Sequence, residues 1–188
     1  MKHHVTCFQW LFLATVSFIF KCVSISVSLP FRTSDGHLTV MKTLIIGISG
    51  VSSSGKTTLS RLLRDIFPNT FVLHEDDFYW PDTQIPEKDG VQDWDCIEAI
   101  DVTGLQYALE YIKQHGKSPP DLFSKEDQNA AGEGKVDEAV VRRWQEKSQA
   151  EQHGNNIRIA IIDGFLLFSQ DMEKVWELMD VRLFLRTE

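Results

Sequence analysis

The sequence predicts an α/β fold in which helices cover both faces of a doubly wound parallel β-sheet. Two observations predict it: short apolar runs typical of buried parallel strands alternate with segments of helical periodicity, and the first strand leads through a glycine-rich turn into the first helix. With 188 residues, the chain is long enough to form one such domain with a substantial core.

Runs of large apolar and β-branched residues predict the strands of the sheet. The third run ends in an acid, Asp163, followed by Gly164. A polar, turn-rich stretch at 82–93 separates the second strand from the next helix. The predicted strands lie at 44–48, 70–74, 157–164 and 181–185.

The predicted helices have the apolar spacing of helices that pack one face against a sheet. In the first, Leu59, Leu62 and Leu63 share a face. The second has Asp95 as its predicted N-cap, although Gly104 weakens its helical pattern. The helices are predicted at 57–64, 97–115 and 171–179.

Two regions differ from the rest of the chain. Residues 116–156 are rich in polar and charged residues, which predicts an exposed, partly disordered insertion with a solvated helix at 136–151. Residues 1–40 begin with a basic start and contain an apolar stretch at 5–20, about the length of a signal-peptide core and short for a membrane span.

The N-terminal segment has two interpretations. It is either a secretory or membrane-targeting signal, or an extension upstream of a natural start at Met41. We favour the second, because Met41 stands directly before the first predicted strand. The domain is therefore predicted to span 41–188 in a cytoplasmic protein, with the nucleus as a further compartment and no membrane association unless 5–20 is a real signal or anchor.

The composition narrows the classes of function. The formal net charge is -8 at pH 7, which argues against general nucleic-acid binding, since neutralising phosphates needs a basic surface. The three cysteines, Cys7, Cys22 and Cys96, have neither metal-binding nor disulfide-framework spacing. Oligomeric state leaves no signal in the sequence.

The most specific motif is G-x-x-x-x-G-K-T, which runs from Gly50 to Thr57 between the first strand and helix. In that context it predicts a phosphate-binding loop of the P-loop NTPase type, with backbone N–H groups directed at phosphates. Lys56 would neutralise the β- and γ-phosphates of ATP, and the Thr57 hydroxyl would bind Mg²⁺. The predicted nucleotide ligands are Gly50, Ser52, Ser53, Ser54, Gly55, Lys56, Thr57 and Thr58.

Acids at strand ends are the candidates for the remaining chemistry. Asp163 ends a hydrophobic strand, in the position where an acid holds Mg²⁺ directly or through water. Asp76 and Asp77 follow the second strand, and either could accept the proton of an attacking hydroxyl. Composition alone predicts packing and capping roles for Trp94 and Asp95. The histidines, His74, His115 and His153, are assigned structural or solvent roles.

Four separated blocks resemble the nicotinamide riboside kinases, relatives of uridine kinase and pantothenate kinase. They are the strand and loop at 42–59, the Asp-Asp-Phe-Tyr segment at 76–79, the segment from Gln92 to Ala99, and the block at 161–168. The resemblance covers 41–115 and 157–188. It implies phosphorylation of nicotinamide riboside by ATP.

The resemblance also implies residue roles. Asp76 would be the general base on the riboside 5′-hydroxyl and a Mg²⁺ contact. Asp95 would grip the ribose 2′- and 3′-hydroxyls, and Trp94 would lie against the cationic pyridinium ring. These roles replace the packing and capping predicted from composition.

The chain departs from the family in three ways. Asp163 stands where the family has Glu, the polar stretch at 116–156 is long, and the chain ends at Glu188, before the family's arginine-rich lid and adenine-binding segment. The expected turnover of a chain without a lid is weak or absent. Two alternatives therefore stay open: a uridine or cytidine kinase, and a nucleotide-binding module without turnover.

Overall fold

The structure, a computed structural model, describes residues 15–16, 43–124, 136–151 and 157–186. The strands are β1 (Thr43–Gly50), β2 (Thr70–His74), β3 (Glu87–Lys88), β4 (Val91–Gln92), β5 (Arg158–Gly164) and β6 (Val181–Leu185). The helices are α1 (Lys56–Ile66), α2 (Val102–His115), α3 (Glu138–Glu151) and α4 (Glu173–Trp176). Short 3₁₀ segments lie at Glu75–Phe78, Asp82–Gln84, Ile97–Ala99 and Gln170–Met172.

The predicted parallel sheet is present. Its strands lie in the order β2-β5-β1-β6, and every pair is parallel. β1 and β2 follow one another in the chain, yet β5 lies between them. The loops that leave the carboxyl ends of β1, β2 and β5 therefore meet at one edge, where ligands bind in sheets of this kind.

The core has two layers, one on each face of the sheet. Along β1, Leu44, Ile46 and Ile48 are buried on the face covered by α1 and α3. Ile45 is buried on the opposite face, which α2 and α4 cover. This alternation follows from the two-residue period of a strand, and it shows that the sheet is wound on both sides as predicted.

Helix α2 begins later than predicted, and Asp101 rather than Asp95 is its N-cap. The Oδ1 atom of Asp101 accepts a hydrogen bond from the Gly104 N–H at 2.8 Å. A Cβ on Gly104 would collide with the Asp101 carboxylate. The glycine that weakened the helical pattern therefore makes room for the cap. Asp95 lies in an exposed turn, where its N–H donates to Asp93 Oδ1 at 3.1 Å.

Helix α3 exists where a helix was predicted, but it is not solvated on all sides. Val140 and Trp144 are partly buried against the core layer of α1. The Gln145 side-chain amide also donates to the Asp65 carbonyl of α1 at 2.8 Å. The apolar side of α3 thus packs on the domain. The prediction of partial disorder within 116–156 falls in part on 125–135 and 152–156, which lie outside the described residues.

Thr15 and Val16 are the described residues of the N-terminal segment, and both are buried. Val16 belongs to the core layer that contains α1. The proposed start at Met41 lies outside the described residues. Among the residues that the structure describes, no helix is long and apolar enough to cross a membrane.

Candidate active site

The turn between β1 and α1 departs from regular backbone geometry at three residues. Gly50 has a φ of 151°, and a Cβ there would lie 2.5 Å from the Leu185 carbonyl oxygen. Gly55, the N-cap of α1, is left-handed with a φ of 90°, and Ser53 has a φ of 61°. Such a turn can direct successive N–H groups inward, at the positive end of the α1 dipole.

The side chains of this loop suit an anionic ligand. Lys56 Nζ donates to the Val51 carbonyl oxygen at 2.9 Å, which places the ammonium over the loop. Ser54 Oγ is buried and has no hydrogen-bond partner among the described residues. A lysine cation and a buried hydroxyl beside a helix N-terminus fit phosphate oxygens. The other predicted ligands lie in the turn or the first turn of α1: Ser52, Ser53, Thr57 and Thr58.

Two buried side chains meet at the ends of β2 and β5. His74 is the register partner of Asp163, and its Nδ1 lies 2.7 Å from Asp163 Oδ1. The side chains are only 3% and 5% exposed. Because an ionised carboxylate can only accept, the imidazole donates through Nδ1. His74 is thus a direct partner of the acid predicted to serve Mg²⁺, a contact that its predicted structural or solvent role did not include.

Glu75 is a buried acid that the sequence analysis missed. Both of its carboxylate oxygens accept from the Leu166 N–H, each at 3.2 Å, and a Cβ on Gly164 would collide with this carboxylate. Burial raises the pKa of Glu75 to about 7, and the charges of Asp76 and Asp163 add to the effect. Near neutral pH, therefore, this acid is close to half-protonated.

The two acids that follow Glu75 have different environments. Asp77 Oδ2 accepts the His74 backbone N–H at 3.2 Å and so caps the 3₁₀ segment. Asp76 is exposed to solvent. Partial desolvation nevertheless raises the pKa of Asp76, and the charge of Asp163 raises it further, while His74 opposes the shift. The capping bond gives Asp77 a structural role at the start of this segment.

Tyr79 connects Trp94 and Asp95 to the acidic residues that follow β2. The Tyr79 hydroxyl donates to the Trp94 carbonyl oxygen at 2.9 Å, and the two rings meet edge to face with centroids 5.4 Å apart. Burial of the phenol and the charges of Asp76, Glu75 and Asp95 raise the pKa of Tyr79. Tyr79 therefore lies within electrostatic reach of both the predicted base and the predicted ribose ligand.

The donor set at this edge fits Mg²⁺ bound together with a nucleotide. Asp163 Oδ2 is buried and has no hydrogen-bond partner among the described residues, as expected of an acceptor for a cation or its water. In the described part of the chain, no three His, Cys, Asp or Glu side chains could hold a metal by themselves. Mg²⁺ is commonly bound by one or two carboxylates together with waters and substrate phosphates. Asp163, Asp76 and Thr57 would provide the protein ligands of such a site.

Sequence reasoning missed three residues of this site: His74, Glu75 and Tyr79. The first two were missed because their partners, Asp163 and Leu166, are about 90 residues away in sequence. Polar residues at the ends of two predicted parallel strands could have signalled the contact, since such ends lie at the same edge when the strands are neighbours. That β2 and β5 are neighbours is visible only in the fold.

Curated proteins with similar sequences are nicotinamide riboside kinases. The enzyme of Schizosaccharomyces pombe is 37% identical over 150 residues, which cover 78% of this chain and 62% of that protein. The Saccharomyces cerevisiae enzyme is 33% identical over 137 residues, covering 70% and 56%. Human nicotinamide riboside kinase 1 is 33% identical over 138 residues, covering 72% and 56%. The chain thus spans 56 to 62% of the length of these relatives.

No family model matches the chain. Among solved structures, a possible uridine kinase from Bacillus stearothermophilus is similar, with a TM-score of 0.50 and 18% sequence identity. The similarity covers 92% of this chain and 80% of that one. At this identity the likeness shows the fold alone, and it confirms the predicted doubly wound α/β architecture.

Proposed function

We propose, on the premise that the chain is related to the nicotinamide riboside kinases, that it transfers the γ-phosphoryl group of ATP to the 5′-hydroxyl of nicotinamide riboside. The bond between the γ-phosphorus and the ADP oxygen breaks, a bond to the riboside oxygen forms, and the hydroxyl proton passes to a base. The product, nicotinamide mononucleotide, would serve NAD salvage.

The observation that carries this proposal is the meeting of the loop, Asp76 and Asp163 at one edge of the sheet. The charge of Asp163 raises the pKa of Asp76 and the charge of Lys56 lowers it, so both groups lie within electrostatic range of Asp76. Phosphoryl transfer needs little covalent chemistry from a protein; it needs a phosphate cradle, a metal site and an acceptor held in line. The loop would supply the phosphate cradle, Asp163 the metal site, and Asp76 the group that holds the acceptor hydroxyl.

Asp76 is the proposed general base. Its carboxyl is exposed, so a substrate hydroxyl can reach it, and its pKa is raised by partial desolvation and by Asp163. A carboxylate is a stronger base when its pKa lies closer to the working pH. Asp77 is less suited, because its carboxylate already accepts the His74 N–H.

Thr57, Asp76 and Asp163 are the residues proposed to hold Mg²⁺ with the nucleotide. When bound, Mg²⁺ would neutralise charge on the phosphates during transfer. Lys56 contributes a second positive charge from the loop, where its ammonium bonds the Val51 carbonyl. The protein itself would hold these side chains in position before the substrates bind.

The riboside is proposed to bind against Trp94 and Asp95. Trp94 is half-buried and packed by Tyr79, so its indole can offer a fixed face to a cationic pyridinium ring, an attraction of about 0.5–2 kcal/mol. The exposed carboxylate of Asp95 can accept from two neighbouring ribose hydroxyls. Uridine and cytidine have uncharged bases and lack the cation–π term, so we favour nicotinamide riboside over them.

We further propose that the protein acts in the cytoplasm, with the nucleus as a second compartment, because its reaction consumes ATP. Its partner is a small-molecule substrate. The net charge of -8 gives no support to nucleic-acid binding.

The proposal is tested by supplying the purified protein with ATP, Mg²⁺ and either nicotinamide riboside, uridine or cytidine. We expect the mononucleotide to form fastest from nicotinamide riboside. A preference for uridine or cytidine would mean that Trp94 does not select the base. Binding of Mg²⁺ and ATP with no phosphorylation of any nucleoside would support the nucleotide-binding module instead.

A further inference from the structure

The pair formed by His74 and Asp163 includes one residue, His74, that has no part in the reaction as proposed above. Its two side chains are among the most deeply buried polar groups at the carboxyl edge of the sheet. They lie opposite one another on neighbouring strands, β2 and β5. Burying a carboxylate is costly unless hydrogen bonds compensate for its lost water, so the 2.7 Å bond from His74 contributes directly to keeping Asp163 in this place.

The bond also distinguishes the two oxygens of Asp163. Oδ1 accepts from His74, whereas Oδ2 has no hydrogen-bond partner among the described residues. An aspartate side chain has only two torsions, and a bond to a ring that is itself 3% exposed restricts both. The imidazole therefore holds the carboxylate with one oxygen occupied and the other available.

The neighbouring elements leave His74 little freedom to move away. Its backbone N–H is bound to Asp77 Oδ2 at 3.2 Å, at the start of the 3₁₀ segment. The next residue, Glu75, is anchored across the sheet to the Leu166 N–H. The imidazole thus projects from a backbone fixed on both sides.

We propose that His74 is a positioning residue that orients Asp163 so that Oδ2 is kept for the divalent cation of a bound nucleotide. The inference rests on the proposed function only in taking Asp163 as a Mg²⁺ ligand. Groups that hydrogen-bond a metal-binding carboxylate orient it, and losing one commonly weakens metal binding about 10- to 100-fold. The role of His74 does not depend on which nucleoside the protein phosphorylates.

The test compares two substitutions with the native protein. His74→Asn retains an N–H donor close to the position of Nδ1, whereas His74→Leu keeps much of the volume and has no donor. Mn²⁺ is the probe, and its binding in the presence of ATP is measured from the paramagnetic resonance of free Mn²⁺. We expect His74→Leu to weaken Mn²⁺ binding about 10- to 100-fold and His74→Asn to restore most of it.

Two further measurements separate orientation from folding. Affinity for ATP without metal should be unchanged in both variants, and thermal melting should show that they are folded. The matched control is His115→Leu, which alters an exposed histidine bonded to the Tyr111 carbonyl within α2. It should bind Mn²⁺ like the native protein.

Native Mn²⁺ affinity in folded His74→Leu would overturn the inference, even if the protein phosphorylates nicotinamide riboside. A weakened Mn²⁺ site in a protein that phosphorylates no nucleoside would support the inference and refute the proposed function. If His74→Leu does not fold, long-range ¹H–¹⁵N NMR of the native protein decides: the inference requires a hydrogen on Nδ1 of His74, and a hydrogen on Nε2 alone contradicts it.

Discussion

Four titratable side chains lie at the ends of two neighbouring strands, and their burial assigns them different tasks. His74, Glu75 and Asp163 are buried, whereas Asp76 is exposed. The buried groups are held by specific hydrogen bonds, to one another or to the Leu166 N–H. Different environments separate the pKa values of neighbouring carboxyl groups, as the metal ligand and the base proposed above require.

Replacing Glu75 with Gln should change how stability depends on pH. The pKa of Glu75 rises from an ordinary 4.5 to about 7, so between these values the folded protein keeps a proton that the unfolded chain releases. Stability is therefore lost as pH rises through this window, by at most about 3 kcal/mol. Below pH 4.5 both states are protonated and the effect vanishes.

Urea unfolding of metal-free protein at pH 5, 6.5 and 8 measures this effect. Glu75→Gln should match the native protein near pH 5 and exceed its stability at pH 8, because the amide stays neutral. Glu138→Gln, an exposed site on α3, is the control and should follow the native curve. Parallel curves for Glu75→Gln and the native protein would show that Glu75 titrates normally.

Tyr79→Phe should weaken riboside binding while leaving ATP binding unchanged. The substitution keeps the ring beside Trp94 but removes the 2.9 Å hydrogen bond to its carbonyl oxygen. A hydrogen bond of this kind contributes about 0.5–1.5 kcal/mol to the stability of the arrangement it holds. If Trp94 must be held for the riboside to bind, KM for the riboside should rise about 2- to 10-fold. The control is Tyr107→Phe on the exposed side of α2. Equal KM values for both variants would remove Tyr79 from the riboside site.

At the scale of elements, local chemistry determines where each helix begins. α2 starts at Val102 because Asp101 caps it and Gly104 leaves space for the cap. Asp95, the residue that sequence pattern favoured, is in a turn bonded to Asp93. This leaves the Asp95 carboxylate exposed.

Asp101→Ala should lower stability by about 0.5–2 kcal/mol, the usual loss for an N-cap. In a domain of this size that corresponds to a fall in Tm of roughly 2–4 °C per kcal/mol. Asp95→Ala is the matched control, and its Tm should equal that of the native protein. A larger fall for Asp95→Ala than for Asp101→Ala would restore the original prediction of the cap.

Sequence pattern predicted the elements better than their contacts. The strand of Ile45, Ile46 and Ile48 and the glycine-rich turn are visible because apolar runs and glycine spacing are local signals. The packing of Trp144 against the core was missed, because a mostly charged helix gives only a weak apolar stripe. The bond between His74 and Asp163 depends on the strand order, which no local pattern encodes.

At the scale of the whole molecule, one described residue of the N-terminal segment, Val16, belongs to a core layer. Val16 is fully buried in the core layer of α1, far in sequence from the first strand. The burial of Val16 predicts that its side chain contributes to stability, which can be measured.

Val16→Asp should destabilise the protein by about 3–5 kcal/mol, because it places an unpaired carboxylate among apolar side chains. Thermal melting measures the change. Val91→Asp is the control, since Val91 is 70% exposed in β4 and should tolerate the charge. If both variants melt like the native protein, residues 1–40 do not dock on the domain, and a boundary at Met41 stands.

We expect Asp76 to accept the riboside proton at the edge of the sheet where the phosphate loop and the proposed metal ligand meet. The most direct test is the rate of nicotinamide riboside phosphorylation by the native protein, Asp76→Asn and Asp77→Asn, with ATP affinity measured for each. Asp76→Asn should lose about 10²- to 10⁴-fold in kcat with ATP affinity largely intact, as expected when a general base is removed. Asp77→Asn should lose far less, because an amide oxygen can still accept the His74 N–H. Equal losses in the two variants, or undiminished turnover in Asp76→Asn, would show that Asp76 is not the general base.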